Sequence, residues 1–203
     1  MKNILLIAFI SLIALMGCNQ IKPVKTIEDL KAGITGESTA SAKYAAFAQK
    51  ARLEEKINIA NLFDAASKSE SIHAANHKKV LEALGEKMEE FTPQFEVKTT
   101  EENLKAAIDG ESYEVASMYP IFLSDAKAEN VAKANKSFNW AFETEKKHQQ
   151  FYINTLAALK NKTEQSLPSM YVVCPVCGNT YEKTTMDKKC SFCQTRKEKF
   201  IDI

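Results

Sequence analysis

The sequence predicts a mainly α protein, a four-helix bundle followed by a small four-cysteine metal domain, and two observations carry that prediction. The first is a duplicated half-site. Glu-x-x-His occurs at Glu70-Ser-Ile-His73 and at Glu145-Lys-Lys-His148, and each follows a Gly-Glu-Ser, at Gly36-Glu37-Ser38 and Gly110-Glu111-Ser112. The separation from lone Glu to paired Glu is 33 residues in one half and 34 in the other, about one helical hairpin. The second is a pair of CxxC knuckles, Cys174-Pro-Val-Cys177 and Cys190-Ser-Phe-Cys193, with 12 residues between them.

The chain opens with Met1-Lys2 and then an apolar run from Ile4 to Met16. That run is too short for a stable membrane span and fits a secretory signal. It ends in Leu15-Met16-Gly17-Cys18, which resembles a bacterial lipoprotein signal with cleavage before Cys18 and lipid on its sulfur. Residues 1–17 are therefore expected to be a signal peptide and Cys18 a lipidation site. Of five cysteines, the remaining four all lie at the C-terminus. A net charge of +1 gives no footprint for a nucleic acid or another polyanion.

Residues 26–161 are expected to form the bundle. Helix one runs from about Thr26, whose hydroxyl can cap the start, to Glu55; helix two runs from about Ile57 to Leu84 and stops at Gly85. A polar connection, Glu86–Thr99, leads to helix three, opened by Thr100 with Glu101 and Glu102 and expected to kink at Pro120. Helix four covers about Asn130 to Leu159. Helix two would be roughly 42 Å long and the 14-residue connection can reach roughly 46 Å, so helices two and three can run parallel. Residues 162–170 read as a linker and 171–203 as the last domain, which at this size needs a staple.

A Glu three residues before a His is commonly a solvated pair on a polar helix face. Here the four segments lie on apolar seams. In helix two, Ile59, Phe63 and Ala66 lead into Glu70, His73 and His77; in helix four, Ala134, Phe138 and Ala141 lead into Glu145, His148 and Tyr152. Leu30, Glu37 and Tyr44, and Leu104, Glu111 and Met118, do the same for the other two. Carboxylates buried unpaired would each cost several kcal/mol, and bound cations remove that penalty. One Glu from each of two helices plus Glu-x-x-His from the others is the ligand set of ferritin-like dimetal bundles. Four thiolates at the C-terminal spacing make a tetrahedral site that selects iron or zinc, the alternative being a disulfide staple in an exported protein.

Both sites together resemble rubrerythrin, through Gly36-Glu37-Ser38 with Tyr44, Glu70-x-x-His73, Ala107-Ile-Asp-Gly-Glu-Ser-Tyr-Glu114, Met118-Tyr119-Pro120, Glu145-x-x-His148, and Tyr171-Val-Val-Cys-Pro-Val-Cys-Gly178 with Phe200. The resemblance implies a ferritin-like di-iron domain followed by a rubredoxin-like domain. It also implies a peroxidase that reduces hydrogen peroxide to water. Its cofactors would be two non-haem irons held by Glu37, Glu70, His73, Glu111, Glu114, Glu145 and His148, and one iron (zinc being the alternative) on Cys174, Cys177, Cys190 and Cys193. Glu70 and Glu145 would bridge, Glu114 would trade places with His73 as the iron changes oxidation state, and Tyr44 and Tyr119 match the family's tyrosines beside the cluster. An external electron donor, a homodimer and an electron relay between its subunits are further expectations.

Two residues depart from the pattern: Gln194 stands where the family usually has Gly, and His77 where it usually has an apolar residue, which reads as a core or rim histidine. The lipoprotein signal is a third departure. It places the protein in the bacterial cell envelope on a lipid anchor, whereas rubrerythrins are usually cytoplasmic. Two rivals remain. A ferroxidase uses the same bundle but does not need a tetrathiolate relay, and a zinc-ribbon adaptor leaves the inward carboxylates unexplained.

Overall fold

The computed structural model describes residues 22–203; the signal segment and Cys18 lie outside the described residues. Helix α1 (Val24–Leu53) and α2 (Ile57–Ala83) form a hairpin across a turn in which Glu55 takes a left-handed φ of 58°. The second hairpin is α3 (Thr100–Tyr113), a π-helical segment (Glu114–Met118) and α4 (Tyr119–Ala128), followed by α5 (Ala132–Lys160), with Asn130 at φ 58° in the turn. The fold class expected from the sequence is the one observed.

Contacts at the helix ends set the directions. The Glu54 carboxylate at the end of α1 accepts from the Thr100 amide at the start of α3. At the other end, the amides of Lys25 and Thr26 donate to Glu129, which follows α4. Helices α3–α4 thus run antiparallel to α1 and parallel to α2, and the polar connection crosses the length of the bundle. Glu129 also replaces the expected Thr26 cap. The helix begins two residues earlier, after Pro23, and a carboxylate from a distant turn satisfies its free amides. Helix α3 starts with a capping box, Thr99 and Glu102 satisfying each other's backbone amides.

The kink expected at Pro120 is instead a widened turn just before it. Proline has no amide hydrogen and its ring collides with the carbonyl four residues back. The π segment ends at Met118 and relieves both problems by inserting one residue.

Two apolar clusters lie on either side of the carboxylate layer. One is built on Tyr44, Phe47, Phe63, Leu104 and Tyr152, the other on Leu30, Leu81, Tyr119, Phe122 and Phe138. The C-terminal part is a three-stranded antiparallel sheet in the order β2-β1-β3, from β1 (Tyr171–Val173), β2 (Thr180–Glu182) and β3 (Ile201–Asp202). It does not stand alone. Tyr171 and Val173 belong to the first cluster of the bundle, with Leu167, Ile201 and Ile203 against it. The segment before the sheet is tied down as well: Lys56 pairs with Glu164, Asn58 donates to the Leu167 carbonyl and Asn61 to that of Ser169. These polar side chains on α2 turn what reads as a flexible linker into a strap.

Candidate metal centres

Glu37 on α1, Glu70 and His73 on α2, Glu111 on α3, and Glu145 and His148 on α5 are all at most 2% exposed. Their ligand atoms fall into two groups, Glu37/Glu70/His73/Glu145 and Glu70/Glu111/Glu145/His148, each within 4.8 Å. Glu70 and Glu145 belong to both. Each sends one oxygen toward each histidine: His73 Nδ1 is 2.9 Å from Glu70 Oε2 and 2.8 Å from Glu145 Oε1, while His148 Nδ1 is 3.0 Å from Glu70 Oε1 and 2.8 Å from Glu145 Oε2. That is the arrangement of two bridging carboxylates between two histidine-bearing positions.

The electrostatics explain why this cluster wants cations. Burial raises the Glu37 carboxyl to about 8, with the neighbouring carboxylates adding to it against His73. Burial and the Glu145 and Glu70 charges likewise lift Glu111 well above the usual range. Burial would depress His148, but Glu70 and Glu145 outweigh it and lift the imidazole to about 10. Burial would raise Glu70, yet the two histidines hold it at about 2. Without metal the cluster holds extra protons. Glu37 Oε2, both oxygens of Glu70 and Glu145, and Nδ1 of both histidines have no hydrogen-bond partner, so their lone pairs converge on one volume. One Nδ1 cannot donate to three carboxylates; two divalent ions can accept from all of these atoms at once. The residues fit the pair of ions.

Each terminal carboxylate is held by a buried tyrosine. Tyr44 donates to Glu111 Oε1 at 2.6 Å, and Tyr119 donates to Glu37 Oε1. Glu114, at the first position of the π segment, stands outside both ligand groups, its carboxyl pushed well up by burial and by Glu37 and Glu111.

The four C-terminal cysteines are free thiols whose sulfurs also lie within 4.8 Å of one another. Cys174 is 3.4 Å from Cys193, and Cys177 is 3.4 Å from Cys190. Gln194 takes the left-handed φ of 62° that a glycine would adopt freely, and its side chain donates to the Cys190 carbonyl. The knuckle therefore keeps its shape at the expense of backbone strain.

The two centres touch, which the sequence pattern did not show. Gly178, the residue after the first knuckle, has φ 84°, and a Cβ there would lie 2.3 Å from His73 Nε2. Its carbonyl accepts from Ser69 at 2.7 Å. Thr180 Oγ1 lies 2.9 Å from His148 Nε2, and Lys147 donates to Asn179. The C-terminal sheet thus orients the outer nitrogen of one histidine and walls off the other, leaving each Nδ1 free for a metal. No residue spacing reports these partners, because they meet only through the docking of the sheet on α2 and α5.

Residues 28–156 match the family model described as Rubrerythrin. Rubrerythrin-2 of Clostridium acetobutylicum is 33% identical over 184 residues, spanning 89% of this chain and 97% of the relative. Nigerythrin of Nitratidesulfovibrio vulgaris is 35% identical over 184 residues, spanning 86% of this chain and 85% of that protein. A solved structure of nigerythrin in a mixed-valence state superposes with a TM-score of 0.78 at 31% identity, covering 88% of this chain and 86% of that one. With its paired Glu/His half-sites and its four-cysteine cluster in place, the chain belongs to the rubrerythrin family of iron-binding, di-iron proteins.

Proposed function

We propose that the protein reduces hydrogen peroxide to water at the Glu/His cluster, drawing single electrons from an external donor through the four-cysteine site. The observation that carries this reading is the contact between the two centres: the backbone of Gly178, one residue past Cys177, lies against the His73 ring. An iron-oxidising site does not need reducing electrons delivered, whereas a peroxide-reducing site must be recharged after each turnover.

Glu37, Glu70, His73 and Glu145 would hold one iron and Glu70, Glu111, Glu145 and His148 the other, with a third iron on Cys174, Cys177, Cys190 and Cys193. Two ferrous ions held there would supply the two electrons that reduction of one peroxide needs. The chain's own residues do the rest. Tyr44 and Tyr119 fix the outer carboxylates by hydrogen bonds, and burial with the neighbouring carboxylates holds both phenols protonated. The aromatic clusters above and below exclude bulk water. Glu114 stands one helical turn from Glu111 and would be the carboxylate available to replace His73 as a ligand of a ferric ion, since a harder ion favours oxygen over imidazole. The same reading includes a homodimer and, through Cys18, a lipid anchor in the bacterial envelope.

The test is metal analysis and visible spectroscopy of protein isolated without air, before and after stoichiometric peroxide and in the presence of a reduced one-electron donor. Peroxide consumption, with bleaching of a ferric tetrathiolate by donor and its return on peroxide, is the expected result. Zinc in the four-cysteine site, or peroxide left unconsumed while added ferrous iron is oxidised, would defeat it.

A further inference from the structure

The two cysteine knuckles face different surroundings. The first lies against the bundle: Gly178 meets His73, and Asn76 on α2 donates to the Val176 carbonyl at 2.8 Å. Cys174, Cys177 and Cys190 are all 0% exposed. Cys193, on the second knuckle, is the one sulfur of the four that is not buried. The first knuckle is therefore the exit toward the Glu/His cluster, and the sulfur that an outside donor can approach is on the second.

The second knuckle is also where the chain concentrates positive charge. The thirteen residues from Asp187 to Lys199 carry five cations against two carboxylates, an excess of three where the whole chain has +1. Backbone pairing sets the cations in register. Lys189 pairs with Arg196 across the arms of the knuckle, the Lys197 amide donates to the Lys188 carbonyl at 3.0 Å, and the Cys190 amide to that of Thr195 at 2.8 Å. Like charges directly opposite one another destabilise a strand pair. Successive side chains alternate faces, so the Lys189–Arg196 and Lys188–Lys197 pairs flank the knuckle on both sides. All four, with Lys199, are exposed, and among the described residues none has an ion-pair partner, whereas Lys183 nearby is paired with Asp202. Folding gains nothing from this arrangement, which suits a partner that brings the carboxylates.

We propose that this cationic collar around Cys193 is the docking face for a small acidic one-electron carrier protein, which reduces the four-cysteine centre there. The inference rests on the relay proposed above and names its donor by class. One electron passes from the reduced carrier to the iron that the four thiolates would hold, ferric becoming ferrous as the carrier is oxidised. No bond forms and no proton moves. Phe192, half-buried between Cys190 and Cys193, gives the collar an apolar centre that can close against the carrier once charge has oriented it. Complementary charge of this kind raises association rates by about 10- to 1,000-fold, and the gain falls steeply with salt. Position argues against an anionic membrane as the occupant. The cations frame the one approachable sulfur, and lipid seated over them would close it off.

The test follows bleaching of the ferric tetrathiolate in the iron-loaded full chain by stopped flow, with a photoreduced acidic flavodoxin as donor. The collar variant combines Lys188→Gln, Lys189→Gln, Arg196→Gln and Lys197→Gln. A control removes the same charge from exposed positions on the bundle, with Lys78→Gln, Lys79→Gln, Lys127→Gln and Lys133→Gln. At low salt the collar variant should be reduced at least about tenfold more slowly than wild type, and the control within about twofold of it. The difference should vanish at about 1 M salt, where the screening length is about 3 Å. Photoreduced riboflavin, a donor without a protein surface, should reduce all three at one rate. In the zinc-loaded chain, which does no redox chemistry, flavodoxin should shift the ¹⁵N amide signals of Cys193 and Gln194 in wild type and not in the collar variant. Equal flavodoxin rates in wild type and collar variant overturn the proposal. So does an equal loss in the control, which would make net charge rather than this face responsible. An equal loss with riboflavin overturns it too, since the cations would then act on the centre itself, and unmoved amide signals do so without reference to iron. Binding to phosphatidylglycerol vesicles that depends on the collar, with equal flavodoxin rates, gives the face to the membrane instead. Steered reduction without peroxide consumption sinks the peroxidase reading and leaves the docking face standing.

Discussion

Replacing Gly178 with alanine probes the contact between the two centres. The new methyl would sit 2.3 Å from His73 Nε2, 2.5 Å from its Cδ2 and 3.2 Å from Ser69 Oγ. His73 cannot swing aside, because its Nδ1 lies among three carboxylates and it is 1% exposed. The sheet must move off the bundle instead, losing the Ser69 to Gly178 hydrogen bond and the His148–Thr180 contact. Those are worth roughly 1 kcal/mol each, the left-handed φ costs an alanine about 1–2 kcal/mol, and residual overlap adds about 1–3 kcal/mol. A loss of roughly 4–7 kcal/mol is expected for the docked state. Gly85→Ala is the control, since Gly85 has φ 82° with nothing within 4 Å of a Cβ and reports the backbone cost alone. Trp140, the one tryptophan in the chain, packs against the cysteine cluster and reports docking by its fluorescence. Gly178→Ala should shift that emission to the red and lower the unfolding midpoint well beyond Gly85→Ala, with the tetrathiolate spectrum intact. Equal midpoints for the two variants and unchanged Trp140 emission would refute the contact.

Three further outcomes are expected. Loading the metal-free protein with zinc at pH 7 should release at least two protons, because His148 at about 10 and His73, raised well above its usual value by Glu145 and Glu37 against its burial, both enter protonated. Affinity should then fall as pH falls, and calorimetry in buffers of different ionisation enthalpy would expose an absence of release. The same shifts make the metal-free fold lose stability as pH rises toward about 10, where His148 deprotonates, and as it falls toward about 2, where Glu70 is protonated. Glu114→Ala should keep both metals, since it lies outside both ligand groups, yet slow peroxide turnover by about tenfold or more while ferrous oxidation by dioxygen changes less; an unchanged peroxide rate would mean no ligand exchange occurs. Cys18→Ser should free the protein from membranes, and retention with the signal cleaved would remove the lipid assignment.

The ligand residues were legible because their positions break a rule. Glu70, His73, Glu145 and His148 interrupt apolar seams whose neighbours Phe63, Ala66, Phe138 and Ala141 are fully buried, and only a cation reconciles charge with that burial. Side chains that act across elements left no such trace. Glu129 caps a helix about a hundred residues upstream, Asn58 and Asn61 hold the strap, Ser69 reaches the Gly178 carbonyl, and Thr180 reaches His148. Each is an ordinary surface residue type until the tertiary fold supplies its partner. His77 stood out as a departure from the family, but its partners Ser137 and Tyr119 lie on two other helices.

The one-residue difference between the two half-sites has the same kind of explanation. Tyr44 follows Glu37 by seven positions, two turns of a regular helix, whereas Tyr119 follows Glu111 by eight. In an uninterrupted α-helix that extra residue would rotate Tyr119 by about 100° and carry its hydroxyl off the cluster. The π segment, Glu114–Met118, lies between Glu111 and Tyr119 and absorbs the insertion. Beyond it the two halves are offset by a constant 75 positions, from Tyr44 and Tyr119 through Glu55 and Asn130 in the turns to His73 and His148. The π turn therefore restores the symmetry that lets Tyr119 hold Glu37 as Tyr44 holds Glu111, and the residue that opens it is Glu114. On α1 the position equivalent to Glu114, three after Glu37, is the buried Ala40 in a regular helix. The widened turn and the spare carboxylate thus have no counterpart on α1. A duplicated bundle has thus become two unequal halves, only one of which carries an extra buried carboxylate and the widened turn that opens with it.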